Sequence, residues 1–260
     1  MGDLGRPDRA DRRARPRGFL YAVGSGAAYF TSAALFVLSG ALATVIRSER
    51  TARTREPITI ATVFSGVAFI QSRRVLFGTM SLDLFAVLLG GATALLPVYA
   101  RDILHTGPGG LGILRSAPAV GALATSVFLA RHPLERRIGS TLFRSVIVFG
   151  AATAVFGLST NFALSLVALC VLGAADVVSM VIRSSLAQIR TPDAMRGRVS
   201  AVSSLFTGTS NQLGAFESGL AAALLGAVPA VLLGGLGTIA VAALWMALFP
   251  ELRRLRTLEE

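Results

Sequence analysis

The sequence predicts an all-α, polytopic membrane helix bundle, and three observations carry that expectation. Hydrophobic residues make up 53% of the chain and charged residues only 15%, against roughly 45–50% and 25% in soluble domains. Seven apolar runs are each long enough to cross a bilayer core of about 30 Å at about 1.5 Å per helical residue. The net charge of +11 is spread over short arginine clusters between those runs. Such spacing marks membrane-flanking loops and not the single basic face that binds nucleic acid.

The expected spans are approximately 19–46, 75–99, 109–130, 142–160, 162–182, 199–223 and 224–249. The chain then divides into a basic tail expected to be disordered (1–18), a first transmembrane helix (19–46), and a cytoplasmic loop (47–74). A six-helix transmembrane bundle (75–249) and a cytoplasmic tail (250–260) complete it. Within the loop, Ile60, Val63, Phe64, Val67 and Ile70 fall on one helical face and end at Arg73 and Arg74. About 14 residues are too few to span, so an interfacial amphipathic helix is expected.

Arginine placement sets the orientation. The segments 47–74, 131–144, 183–198 and 253–256 are rich in arginine and alternate with poor ones, so they are expected on the cytoplasmic side. That topology puts Arg6, Arg9, Arg12, Arg13, Arg15 and Arg17 on the translocated side. The conflict leads us to expect that the tail stands in place of an earlier helix, with a disordered basic arm as the alternative. A cleaved signal peptide fits less well, because the apolar run after the tail is about twice the usual 7 to 15 residues.

Ionisable groups inside a span are costly, about 2.5–3.5 kcal/mol at a helix centre, so each points to an inward-facing position. Asp83, Arg115, Asp176 and Glu217 are such residues. Asp83 should lie roughly 12 Å in from the cytoplasmic end of its span. Asp176 and Arg183 share that half, and Arg183, near a helix end, is expected to snorkel. Arg115 and Glu217 fall at similar levels in the opposite half, so the spacing permits an ion pair between them. Each of these charges either lines a transport path or locks helices together.

The run 199–223 carries Ser200, Ser203, Ser204, Thr207, Ser210, Asn211, Gly214, Glu217 and Ser218 at spacings of three or four. Polar groups left unsatisfied in hydrocarbon cost several kcal/mol each, so the stripe must face helices or water, and a cavity lining is favoured. The thinner stripe Thr79, Asp83, Gly90, Thr93 and Pro97 allows close helix packing and a kink. Thr191-Pro192-Asp193 places a capping residue before a proline, where a cytoplasmic helix should begin.

Enzyme chemistry finds no support. Gly107-Pro108-Gly109-Gly110-Leu111-Gly112 resembles a phosphate cradle, but no strand precedes it and no Gly-Lys-Ser/Thr comes after it, so it reads as a turn opening a helix. There is no Gly-x-Ser-x-Gly and no His-Glu-x-x-His, and His105 and His132 fall on opposite sides of the membrane. The lone Cys170 makes neither a disulfide nor a thiolate metal site. No catalytic residue, cofactor or metal is expected, and nucleic acid is not an expected partner.

Three strings carry a family resemblance: Ser81-Leu82-Asp83-Leu84-Phe85, Gly90-Gly91-Ala92-Thr93-Ala94-Leu95-Leu96-Pro97, and Pro192-Asp193-Ala194-Met195-Arg196-Gly197-Arg198-Val199. They are similar to the C-terminal half of enterobactin-exporter-like major facilitator proteins. The resemblance covers roughly residues 19–256 and implies that the first span corresponds to the family's sixth helix and the rest to helices seven through twelve. Asn211 to Gly219 resembles the family's eleventh-helix motif. The loop Leu134-Glu135-Arg136-Arg137-Ile138-Gly139 resembles the superfamily's Asp-Arg-x-Gly signature, with Arg136 in place of its Asp. The family fold encloses a midplane site between two six-helix bundles and exports siderophores or drug-like molecules by proton-driven alternating access.

The resemblance thus implies a multi-pass transporter of a bacterial inner membrane, here a copy lacking its N-terminal bundle. Asp83, Arg115, Asp176, Asn211 and Glu217 are its expected substrate-path or proton-coupling residues. Membrane lipid and a small-molecule substrate are the expected partners, with a second chain as a source of the other bundle. The alternatives are half of a split transporter, a homodimer, or a non-transporting scaffold or sensor whose arginine loops bind anionic lipid.

Overall fold

In hydrocarbon every backbone N–H and C=O must be paired within the protein, which leaves helices as the solution for apolar runs of this length. The computed structural model describes residues 25–45, 60–134 and 137–257, and all regular structure among them is helical. The basic tail, 1–18, and the first part of the 47–74 loop lie outside the described residues.

The chain divides into two units, 1–55 and 56–260. In the first, α1 (Ser25–Val45) runs 21 residues inside the expected first span. The second holds α2 (Ile60–Ser72), α3 (Arg74–Leu89), α4 (Pro108–Arg131), α5 (Ile138–Leu158), α6 (Phe162–Ile189), α7 (Asp193–Leu225), α8 (Ala227–Leu248) and the short α9 (Pro250–Arg254). Among the described residues five stretches are long and apolar enough to cross a membrane: α3 with its continuation to Ile103, α4, α5, α6 and α8. The sixth, α7, is 33 residues long, about 50 Å, and its polar stripe is what makes it less apolar than its neighbours. Leu123, Phe128, Val167, Phe216 and Leu236 are exposed on the outside of the unit.

Within this unit α6 packs on α4 and α5, α5 on α8, and α7 on α3. Lipid tails are as apolar as leucine, so close van der Waals packing holds these helices together and favours small residues where backbones approach. Between α4 and α6 the contact is reciprocal: a Cβ on Gly121 would collide with the Cys170 carbonyl, and one on Gly173 with the Pro118 carbonyl. Two apolar clusters fill the bundle. One gathers Leu95, Tyr99, Leu114, Phe156, Leu169 and Val231; the other gathers Leu82, Leu142, Phe143, Ile182, Leu186 and Leu252 toward the opposite ends of the helices.

Several boundaries differ from the sequence expectation, each for a local reason. α6 continues seven residues beyond Ile182, to Ile189. α7 starts at Asp193 and runs without a break through Val199, so the short cytoplasmic helix and the polar span are one element. Thr191 does not cap it: no side chain bonds to the first turn, and Thr191 is itself buried. α7 ends at Gly226, whose φ of 92° is a left-handed backbone that glycine adopts without Cβ strain. A helix forms in the second half of the 47–74 loop as α2, and part of its apolar face has a protein partner. Ile70 is buried with Leu76, Val199 and Val202, and Gly66 lies against α7 at Val202 and Arg198.

Of the loop 134–139, Glu135 and Arg136 lie outside the described residues. The start of α5, just beyond them, is tied to the C-terminus. The N–H groups of Ile138 and Gly139, orphaned in the first turn of that helix, donate to the Arg256 and Leu255 carbonyls at 3.4 and 3.1 Å.

Candidate functional site

α3 loses its regular winding where the bundle opens. After Gly90 the chain tightens into a 3-10 turn over Gly91–Leu95, Pro97 comes next, and Tyr99–Ile103 widens into a π turn. A proline removes one helical hydrogen bond and glycines give no lateral support, so such sequences break the i→i−4 ladder. Gly91 abuts Gly214 of α7, and Gly90, Gly91, Thr93 and Ala94 form part of the wall of an open cavity of about 320 Å³. α4, α5, α6 and α7 contribute Pro118, Phe149, Asp176 and Asn211. Irregular backbone at membrane depth is tolerated where it borders such a cavity.

Beside it lies a much smaller cavity of about 20 Å³, lined by Asp83, Asp176, Ser179 and Arg183 together with Val87 and Phe149. Val87, Phe149 and Asp176 belong to both. On α6, Asp176, Ser179 and Arg183 stand at i, i+3 and i+7, one helical face. Arg183 and Asp83 form an ion pair across α6 and α3, their side chains only 16% and 13% exposed. Ser179 is buried, and its hydroxyl has no hydrogen-bond partner among the described residues. That volume is about what one water needs, and an orphaned hydroxyl beside two carboxylates supplies the polar partners for it.

Three of the five residues expected from the sequence therefore converge: Asp83, Asp176 and Asn211. Arg115 and Glu217 do not join them. Both are exposed, and among the described residues no ion pair links them. α4 packs on α6 whereas α7 packs on α3, so matching depth does not make the two side chains neighbours. The polar stripe of α7 also divides. Ser210, Gly214 and Ser218 are buried, whereas Ser200, Ser204, Thr207 and Asn211 are exposed. Six residues of helix turn Glu217 roughly 120° away from Asn211, and among the described residues its carboxylate meets only the adjacent Ser218 hydroxyl, at 3.5 Å.

Arg183 is the residue that sequence reasoning misplaced. It does not snorkel: with α6 running to Ile189 it lies inside the helix, paired with Asp83. Its shared depth with Asp83 and its spacing from Asp176 were the signals in the sequence. At the rim toward α9, the Trp245 indole N–H donates to the Ser81 hydroxyl at 3.0 Å, and Trp245 packs against Phe85 with ring centroids 5.2 Å apart. This gives Ser81 and Phe85 of the first family-like string a packing role. At the other end, Asn161 caps α6 by accepting from the Ala163 and Leu164 N–H groups.

A six-helix membrane unit with a broken helix and ionisable groups around an inner cavity defines a multi-pass membrane protein of the major facilitator class. A profile described as transmembrane secretion effector matches residues 17–259, and the chain belongs to that family. Among curated proteins it is similar to the enterobactin exporter EntS of Citrobacter koseri, 25% identical over 197 residues that make up 76% of this chain and 47% of that protein. It is 27% identical over 175 residues to EntS of Shigella flexneri, covering 65% of this chain and 43% of the relative. For EntS of Escherichia coli O139:H28 the values are 24% over 197 residues, 76% and 47%. The chain thus spans about half the length of the curated relatives it matches. No solved structure matches it.

Proposed function

We propose that this chain forms one bundle of a bacterial inner-membrane exporter for siderophore or drug-like small molecules and has no enzymatic activity. The cavity carries this reading: it opens among α3, α4, α6 and α7, and among the described residues its one ionisable lining residue is Asp176. A volume of about 320 Å³ lies within the range of small-molecule sites. The broken α3 supports it further, because interrupted helices at a cavity are where transporters hold substrate and coupling ions.

In this reading a second bundle, from another chain or a second copy, faces the exposed polar side of α7 at Ser200, Ser204, Thr207 and Asn211. Asp176 and Asp83 carry the coupling charge, with Arg183 as the counter-ion of Asp83. The similarity to enterobactin exporters supports export as the direction of transport.

The test is export of a siderophore or a fluorescent drug from an efflux-deficient host. The chain is expressed alone, beside a separately encoded five- or six-helix partner, and with Asp176→Asn in each case. Export that disappears in Asp176→Asn is the expected result. Membrane insertion without export under any condition would sink the transport reading and leave a lipid-binding scaffold.

A further inference from the structure

The outer face of α5 carries charge and apolar surface in an order that suits one kind of molecule. Arg144, Val148, Val155 and Leu158 follow at intervals of four, seven and three residues and share one helical stripe, with Arg137 at its head seven residues before Arg144. All five are exposed, the apolar three by 43–67%. Phe149, the α5 residue on the wall of the larger cavity, lies roughly 120° round the helix from Val155. Gly150 and Gly157, which abut α8, lie roughly 140–160° the other way round. The stripe therefore turns away from the cavity and from α8, and a second bundle that closed the cavity would leave it uncovered.

Backbone geometry sets the two arginines in place. Arg137 precedes the first turn of α5 with a φ of 58°, a left-handed backbone that residues with side chains rarely adopt. The C-terminal segment fixes it there, because the next two N–H groups, of Ile138 and Gly139, donate to the Arg256 and Leu255 carbonyls. Arg144 stands about 10 Å further along the axis, and helical side chains lean toward the N-terminus, which brings its guanidinium back toward Arg137. Neither arginine forms an ion pair among the described residues. Arg253 and Arg254 of α9 add positive charge at the same end, whereas Glu251 is taken by Arg74. Beyond Arg144, Val148 to Leu158 covers about 15 Å of helix, half of a bilayer core about 30 Å thick.

We infer that this stripe holds an anionic phospholipid of the leaflet at the arginine-rich end, with Arg137 and Arg144 on its headgroup phosphate and Val148, Val155 and Leu158 along one acyl chain. A guanidinium fork matches phosphate oxygens. The arginine-rich end is the expected cytoplasmic side, and the lipid surface there is negative. A soluble phosphate would use the arginines and leave the apolar stripe bare. The stripe is separate from the cavity, so this lipid site does not depend on what the chain transports.

Native mass spectrometry of the purified full chain in detergent tests it, with dioleoyl phosphatidylglycerol and dioleoyl phosphatidylcholine as probes. The two lipids share chains and phosphate and differ in net charge. The first phosphatidylglycerol should bind at least about fivefold more tightly than phosphatidylcholine, since one arginine near an anionic lipid is worth about a factor of five. Arg137→Gln and Arg144→Gln should each weaken it about fivefold, and the double variant about twentyfold. Arg131→Gln, which removes an exposed arginine at the same end from α4, should leave it unchanged, and excess inorganic phosphate should not displace the lipid. Equal affinity for the two lipids, or unaltered binding in the double variant, would overturn the inference. An equal loss in Arg131→Gln would replace the site with diffuse attraction, and displacement by inorganic phosphate would replace it with a simple anion site; either result also overturns it. Both arginines of the site are exposed, and a melting temperature close to the parent's shows that each variant is folded.

Discussion

The guanidinium of Arg183 and the carboxylate of Asp83 close an ion pair between α6 and α3, well removed from solvent and beside a second carboxylate, Asp176. A pair of this kind is weak evidence for stability as it stands, because both ions have lost their hydration. Removing one partner is different, since it strands the other charge.

Asp83→Asn and Arg183→Gln are each expected to destabilise the purified protein by about 3–5 kcal/mol, and the double variant by clearly less than the sum. Reversible unfolding in mixed detergent micelles, arranged as a double-mutant cycle, measures the coupling. Additive losses would mean that the two groups do not depend on each other.

The glycines between helices make a sharper contrast. Gly173→Ala would press a methyl against the Pro118 carbonyl, and Gly121→Ala one against the Cys170 carbonyl. Backbone atoms cannot swing aside, so each change should cost about 1–3 kcal/mol by forcing α4 from α6. Gly219 has nothing within 4 Å of the added carbon, and Gly219→Ala in α7 should be neutral or stabilise by about 0.5–1 kcal/mol. Thermal unfolding of the three single variants separates these outcomes.

The C-terminal segment supports the bundle from one end. Leu252 of α9 is fully buried, Arg74 reaches Glu251 at 3.1 Å, and the Leu255 and Arg256 carbonyls receive the first N–H groups of α5. Leu252→Ala should therefore cost about 2–5 kcal/mol, whereas Glu251→Gln, in an exposed pair, should change stability by less than about 1 kcal/mol. A scan of melting temperature across these two variants checks the ranking.

Span length and loop arginines were enough to read the helices of the second unit from the sequence, because a bilayer imposes both. The positions of Asp83, Asp176 and Asn211 were legible for the same reason: polar atoms at membrane depth have few permitted surroundings. The rest depends on geometry that depth does not encode. Ending α6 at Ile182 put Arg183 at an interface, when the helix continues through arginine and serine because Arg183 has Asp83 for a partner. Counting spacings of three and four along α7 merged two faces, so Glu217 was grouped with Asn211 although the helix turns it away. Whether a position of the stripe is buried, as Ser210, Gly214 and Ser218 are, or exposed, as Asn211 is, depends on which helix lies alongside at that level, and that is a property of tertiary packing.

Tyr99 carries the last prediction. Its ring packs on Phe156 with centroids 4.6 Å apart, and its buried hydroxyl donates to the Gly157 carbonyl at 2.9 Å. Gly157 is one residue from the end of α5, where carbonyls have no later N–H within the helix to accept from. The phenol thus serves as a cap delivered from the irregular end of α3, and it links the broken helix to the span behind the cavity. Tyr99→Phe keeps the ring and removes the donor. Buried hydrogen bonds between membrane helices are worth about 0.6 kcal/mol on average and reach about 1.7 kcal/mol, so a small loss of global stability is expected. The larger effect should be local, as faster amide hydrogen exchange in the last turn of α5 with the rest of α5 unchanged. Unchanged exchange in that turn would mean that the carbonyl finds another donor and that Tyr99 acts through its ring alone.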